Sequence, residues 1–239
     1  MSDIKLFDLL MHIPNYLSKD KCNQLINYYN KNQQYQSYES SLDPNGNYKQ
    51  STFQCIEVIP QSDEVILLRN SVTDLVSKYK TYLQSFDSFH DHIQANDCFN
   101  YVHKYRILKY DVGTSIHQHS DHDSLTYGSC TINLNEDYEG GAFTFFKGRN
   151  KIDLKQGDAI VFPADYFWVH EVATITKGTR YAFNCFLLKL LDDHCRSFST
   201  LRSAIPRYEN EVHYIGAKEI DQVEEYHTDS DEEIPFNYQ

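Results

Sequence analysis

His117-Gln118-His119-Ser120-Asp121-His122-Asp123 is the stretch from which the rest of the chain can be read. It is crowded with groups able to ligate a metal. Side chains on an extended strand repeat every second residue, so His119 and Asp121 point the same way. One strand can therefore present two ligands to one ion. A third must come from elsewhere, and His170 stands downstream, followed by Arg180. Two imidazoles and one carboxylate on one side of a metal leave its opposite side open. His117 shares the parity of His119 and Asp121, so direction alone does not choose between the two histidines. Composition does not choose either, because metal sites accept His and Asp alike. His122 and Asp123 read as the start of the next turn, with a role, if any, in orienting a ligand.

The surrounding pattern is that of a sheet. From Phe99 onward, short segments rich in Val, Ile, Tyr, Phe and Thr alternate with Gly, Asn and Asp. That pattern predicts antiparallel strands closing into a two-sheet barrel. Lys177-Gly178-Thr179 reads as a turn before a strand from Arg180 to Leu188. Residues 1–90 read as mainly helical, with short strands. Ser18 is a suitable N-cap, and Cys22, Leu25, Ile26 and Tyr29 follow at helical spacing. Val65, Leu68, Val72, Leu75, Val76, Tyr79 and Leu83 predict a long amphipathic helix from Asp63 to Gln84. Residues 35–52, rich in Ser, Asn, Tyr and Gln, read as a loop near the substrate. Arg196 to Ala204 reads as a short helix. Residues 219–235, ending in Asp229-Ser230-Asp231-Glu232-Glu233, read as a solvated acidic tail.

Composition narrows the class. The chain has 239 residues, 41% of them hydrophobic, enough for a sizeable core. Its 19 Tyr and 14 Phe suit pleated surfaces. Net charge is −12, which argues against a nucleic-acid partner, since such partners select a basic footprint. The six cysteines (Cys22, Cys55, Cys98, Cys130, Cys185 and Cys195) include no C-x-x-C pair and read as reduced, buried thiols. Met1 to Met11 carries Asp3, Lys5 and Asp8 and is not a signal peptide. No apolar run approaches the roughly 20 residues of a membrane span. A soluble cytoplasmic protein with no membrane partner is the expectation.

Two His and a carboxylate with an open face form the facial triad of non-haem Fe(II) oxygenases. Beyond that chemistry, Tyr105 to Leu188 resembles the 2-oxoglutarate- and Fe(II)-dependent dioxygenases of the prolyl 4-hydroxylase type. Tyr110-Asp111-Val112-Gly113 is similar to the family's Tyr-x-x-Gly. His119-x-Asp121 sits at the family spacing after it, which selects His119 over His117. Gly140-Gly141-Ala142-Phe143-Thr144-Phe145 resembles the Gly-Gly-x-x-x-Phe strand. Gly157-Asp158-Ala159-Ile160-Val161-Phe162 resembles the Gly-x-Ala-x-x-Phe strand before the distal His, and His170 and Arg180 follow in order. Ile13 to Cys22 is similar to the family's opening strand and capped helix.

The resemblance implies an α+β, mainly β protein with a double-stranded β-helix (jelly-roll, cupin-like) core and N-terminal supporting helices. Its domain would span 1–191, with helical support over about 1–98 and the jelly roll over about 99–191. A C-terminal extension (192–218) and the acidic tail (219–239) would follow. The implied metal ligands, also the catalytic set, are His119, Asp121 and His170. Mixed N/O ligation suits Fe(II), although Zn or Ni can occupy the same donors. Arg180 would hold 2-oxoglutarate, its planar fork matching a carboxylate. Tyr110, Thr131 and Asn133 would add cosubstrate contacts, and Trp168, of the same parity as His170, would wall the site. The implied cofactors are Fe(II), 2-oxoglutarate and O2, with ascorbate as a supporting reductant.

The resemblance points to hydroxylation of a protein or peptide side chain, prolyl first. Arg180 departs from the collagen prolyl hydroxylases, which use Lys there, and is more like the oxygen-sensing prolyl hydroxylases or the lysyl hydroxylases. Lysyl residues, a small molecule and an alkylated nucleobase are the rival substrates. The nucleobase enzymes carry an Arg-x-Asn-x-x-x-x-Arg-like strand, which Arg180-Tyr181-Ala182-Phe183-Asn184-Cys185-Phe186 lacks. A non-catalytic binding module of the same fold is the other rival, and intact ligand residues argue against it.

Overall fold

The computed structural model describes residues 5–42, 48–58, 62–86, 99, 101–122, 125–189 and 212–214. Ser18 accepts a hydrogen bond from the Lys21 amide and opens α1 (Lys19–Lys31). Ser62 does the same for Val65 and opens α2 (Asp63–Gln84), whose first turn carries Asp63 and Glu64. Side-chain caps satisfy amides the helix leaves unpaired, and acidic groups favour the positive end of the helix dipole. Both helices stand where the apolar spacing places them.

Fourteen strands occur among the described residues. The first are β1 (Met11–Ile13), β2 (Ser37–Leu42), β3 (Tyr48–Glu57), β4 (Tyr101–Tyr110) and β5 (Ile116–His119). Next come β6 (Thr126–Asn133), β7 (Glu139–Gly140), β8 (Phe143–Phe145), β9 (Asn150–Ile152) and β10 (Ala159–Pro163). The last are β11 (His170–Val172), β12 (Ile175–Lys177), β13 (Arg180–Leu188) and β14 (Val212–Tyr214). The large sheet runs β1-β10-β6-β13-β4-β3-β2, with β14 beside β4. The small sheet runs β5-β11-β8-β9, and β12 pairs with β7. The pairings are antiparallel.

Alternation decides what each face of the large sheet buries. Ile107, Cys130, Ile132, Val161, Phe183 and Cys185 point outward and pack with Leu25, Tyr29, Leu68, Val72, Leu75 and Tyr79 of the two helices. The opposite face meets the small sheet through an aromatic cluster of Phe143, Phe145, Phe162 and Trp168. Phe53, Leu108, Tyr110, Ile175 and Ala182 form a neighbouring cluster. The order is therefore helices, large sheet, small sheet, and polar groups that must be sheltered from water lie between the two sheets.

The described part of residues 35–52 is not a loop. Ser37–Leu42 and Tyr48–Glu57 form a hairpin that extends the large sheet from β4. Local polarity is overridden by tertiary pairing, because the edge of β4 supplies the ladder for β3, and Phe53, Cys55 and Ile56 supply the buried contacts. The N-terminal region thus holds a ten-residue strand rather than short ones only.

Cys22, Cys55, Cys130 and Cys185 are buried free thiols, in line with their scatter in sequence; Cys98 and Cys195 lie outside the described residues. Among the described residues, no helix is long and apolar enough to cross a membrane. The short helix expected over 196–204 and the acidic tail also lie outside the described residues. From the extension, Val212–Tyr214 returns to pair with Tyr101–His103 of β4.

Candidate metal centre

β5 and β11 are antiparallel neighbours, and their register sets His119 directly opposite His170. The two imidazole centres are 4.3 Å apart. Strand β5 ends at His119, so Asp121 reaches the pair from just beyond the strand rather than by strand alternation. Its Oδ1 lies 3.3 Å from His119 Nε2 and its Oδ2 3.5 Å from His170 Nε2. The candidate donor atoms of His119, Asp121 and His170 all fall within 4.8 Å of one another, a spacing that one metal ion can span.

Backbone carbonyls orient both rings. His119 Nδ1 lies 2.7 Å from the His117 carbonyl oxygen, and His170 Nδ1 lies 2.9 Å from that of Trp168. A carbonyl can only accept, so each Nδ1 carries the proton and each Nε2 presents a lone pair to the centre. Burial lowers the His170 pKa and favours its neutral form. Burial acts the same way on His119, but the Asp121 carboxylate and the His117 carbonyl outweigh it and raise that ring's pKa. Burial would raise Asp121, yet the His170 and His119 imidazoles, with the Ser129 hydroxyl, hold it down at about 2. The centre is thus pre-set as one anionic carboxylate between two imidazoles, a donor set suited to a divalent ion.

The competing histidines point elsewhere. His117 and His122 are exposed, and the His122 ring lies 5.4 Å from that of Tyr166. Asp123 lies outside the described residues. Trp168 is buried against Phe145, Phe146 and Phe162, and its carbonyl, not its ring, serves His170.

Arg180 begins β13 with only 1% of its surface exposed. Its guanidinium carbon sits 4.9 Å from the Tyr110 ring centre, directly across the β13–β4 ladder. Nε donates to Asn133 Oδ1 at 3.1 Å. Nη1 is buried with no hydrogen-bond partner. Leaving a charged donor buried and unpaired is expensive, so such an atom points to a ligand, and the planar fork matches a carboxylate. Asn133 is committed to this arrangement. Its Oδ1 also accepts from the Tyr138 hydroxyl at 3.2 Å, and its Nδ2 donates to the Asn135 and Leu154 carbonyls. Thr131 is buried two positions earlier on the same strand face.

Residues 105–188 match the model of the 2OG-Fe(II) oxygenase superfamily. The match contains the strand bearing His119, the distal His170 and Arg180, so the matched residues carry the whole candidate centre. The superfamily's cofactors, Fe(II), 2-oxoglutarate and O2, agree with the donor set and with the unpaired guanidinium nitrogen. No curated protein matches the sequence.

Solved structures share the fold, a double-stranded β-helix. A viral collagen prolyl hydroxylase from Paramecium bursaria Chlorella virus-1, in complex with 2OG, has a TM-score of 0.55 at 16% identity, covering 77% of this chain and 97% of that one. A Pseudomonas putida prolyl-4-hydroxylase has a TM-score of 0.56 at 13% identity, covering 76% and 93%. A Trichoplax adhaerens prolyl hydroxylase, bound to a hypoxia-inducible-factor peptide fragment, has a TM-score of 0.58 at 16% identity, covering 80% and 87%.

Sequence reading missed Ser129 beside Asp121, and with it Asn184, Arg106 and Glu39, which line the same inner face. Parity was a usable signal. Asn184 shares the phase of Arg180 on β13, and Arg106 shares the phase of Tyr110 on β4.

Proposed function

We propose that this chain is an Fe(II)- and 2-oxoglutarate-dependent dioxygenase that hydroxylates a peptidyl prolyl side chain. In this reading His119, Asp121 and His170 hold the metal, and Arg180 holds the distal carboxylate of 2-oxoglutarate. The observation that carries it is the pairing of a two-His, one-Asp cluster, its His170 buried, with a buried guanidinium whose Nη1 has no protein partner. The Trichoplax neighbour's peptide supports a peptide as the substrate class, as does a net charge of −12, which repels a polyanion.

When bound, Fe(II) with 2-oxoglutarate and O2 supplies the oxidising power that turns a C–H bond into C–OH, with release of succinate and CO2. The chain supplies position and electrostatics. The His117 and Trp168 carbonyls keep both Nδ1 protons in place, so both Nε2 atoms stay available. Asp121 stays ionised over the working pH range. Asn133 and the Tyr110 ring hold Arg180 on two sides, leaving Nη1 for the cosubstrate. Burial of Asp121, His170 and Arg180 excludes water from the donors and strengthens their fields.

The test is turnover of proline-rich peptides beside methylated oligonucleotides, with succinate release and product mass both measured. Succinate formed together with one added oxygen on a prolyl residue is the expected result. Succinate formed only with oligonucleotide demethylation would overturn the substrate class. No succinate from the iron-loaded protein under any condition would overturn the enzyme.

A further inference from the structure

The face of the large sheet that carries Arg180 carries a second buried guanidinium, which the proposed chemistry does not use. Along β13, Arg180, Ala182 and Asn184 point to one side, and their partners across the ladder on β4 are Tyr110, Leu108 and Arg106. Arg106 therefore stands two rungs from the Arg180–Tyr110 pair, about 13 Å along the strands, beyond a buried rung of Ala182 and Leu108. It is 8% exposed. Its Nη1 donates to the Glu39 carboxylate on β2, and its Nη2 donates to Asn184 Oδ1. The Phe186 ring centre lies 4.6 Å from the guanidinium carbon, and these three contacts fix the plane of the group. Nε, the remaining nitrogen, is buried with no hydrogen-bond partner. The backbone around it is irregular. β4 has one residue more than β13 between the Arg106–Asn184 and His103–Phe186 pairs, Lys104 in that step has φ +59°, and β2 shifts register at Glu39. Such bulges re-aim side chains and are over-represented beside active sites.

The two guanidiniums each have an unpaired nitrogen, but they differ in charge. Arg180 is held by an amide oxygen and an aromatic ring, which leave its charge uncancelled. Arg106 is already neutralised by Glu39. Arg180 therefore attracts an anion, whereas a carboxylate brought to Arg106 would meet the carboxylate of Glu39. A neutral oxygen meets no such repulsion, and an amide carbonyl is satisfied by one donor. We propose that Arg106 Nε is a binding donor for a backbone carbonyl oxygen of the peptide substrate, so that the two arginines divide the ligands: Arg180 takes 2-oxoglutarate and Arg106 the peptide. Glu39, Asn184 and Phe186 position it. The inference rests on the peptide reading of the function and adds to it a specificity-determining residue.

The experiment uses the full chain with arginine labelled by 15N at Nε, loaded with Zn(II) and 2-oxoglutarate so that nothing turns over. The probes are a set of proline-rich peptides with acetylated and amidated ends. Loss of a signal in Arg106→Lys assigns the Arg106 Nε–H resonance. Bound peptide should move that resonance downfield and slow its exchange with water. Arg106→Lys keeps a cation for Glu39 but has no Nε; it should weaken the peptide by about 10-fold in calorimetry and leave 2-oxoglutarate affinity unchanged. Glu39→Gln leaves the guanidinium charge uncancelled, so acetate should shift the Arg106 signal in that variant and not in the wild type. A peptide that binds by calorimetry while the Arg106 signal and its exchange stay unmoved overturns the role of Arg106 and leaves the peptide reading standing. An acetate response in the wild type equal to that of Glu39→Gln overturns the preference for a neutral oxygen. Failure of every peptide to bind overturns the peptide reading, and this inference with it.

Discussion

Arg180 shows what a single residue can disclose. Its Nε and its ring-facing side are used by Asn133 and Tyr110, while Nη1 is buried and unpaired. Replacing it by Lys keeps the charge but loses the planar fork. Arg180→Lys is therefore expected to weaken 2-oxoglutarate by about 1.5–3 kcal/mol, the worth of one charge-assisted hydrogen bond, and to leave Co(II) affinity nearly unchanged. Calorimetry with each ligand separately checks this, and equal 2-oxoglutarate affinity in the two proteins would remove Arg180 from the site. The ligands and Arg180 are legible in sequence because their order and spacing follow from adjacent strands of a known topology. The pairing of Arg106 with Glu39 is not, because Glu39 lies 67 positions away in a segment whose composition reads as a loop. A buried ion pair leaves no local period when its two halves come from elements that meet only in the folded protein.

At the scale of elements, the helices and the strand Arg180–Leu188 follow from local pattern, whereas the β2–β3 hairpin needs the edge of β4 to exist. Short strands depend on close backbone approach as well. Gly140, on β7, has φ +84°, and a Cβ placed there would lie 2.2 Å from the Thr174 carbonyl oxygen. Gly140→Ala should destabilise the protein by about 1–3 kcal/mol from backbone strain and force β7 away from β12; urea denaturation measures it. Asp158 ties three segments together. Its carboxylate accepts from the Asn15 amide at 2.9 Å and the Lys155 amide at 3.0 Å and lies 3.1 Å from His12 Nε2. Burial would raise its pKa, but these partners outweigh burial and lower it. A depressed carboxylate stabilises the fold above its unfolded pKa, about 3.9, and loses that contribution as pH falls through the lower folded value. Asp158→Asn should therefore flatten the fall in stability on acidification below about pH 4, as read by denaturation at a series of pH values. An unchanged pH dependence would show that the carboxylate contributes nothing there.

The described residues form a stack of helices, large sheet and small sheet, which Val212–Tyr214 joins from the C-terminal part. Truncation after Gln222 removes a segment dominated by acidic and polar residues and should leave Tm and turnover unchanged. Truncation after Leu191 also removes β14 from the edge of β4 and should lower Tm, by about 2–4 °C for each 1 kcal/mol lost in a chain of this size. A large fall in Tm for the shorter deletion would contradict this. The division of labour between the sheets has a consequence of its own. His119 and His170 stand on the small sheet, and Tyr110 and Arg180 on the large one. A dicarboxylate gripped at one end by the metal and at the other by Arg180 is a clasp across two slabs that otherwise touch mainly through aromatic rings. Deuterium uptake would register its closing in two stages. Divalent metal alone should slow exchange in β5, the four-residue edge strand of the small sheet. Adding 2-oxoglutarate should carry the slowing across the gap, to the amides around Tyr110 and Arg180.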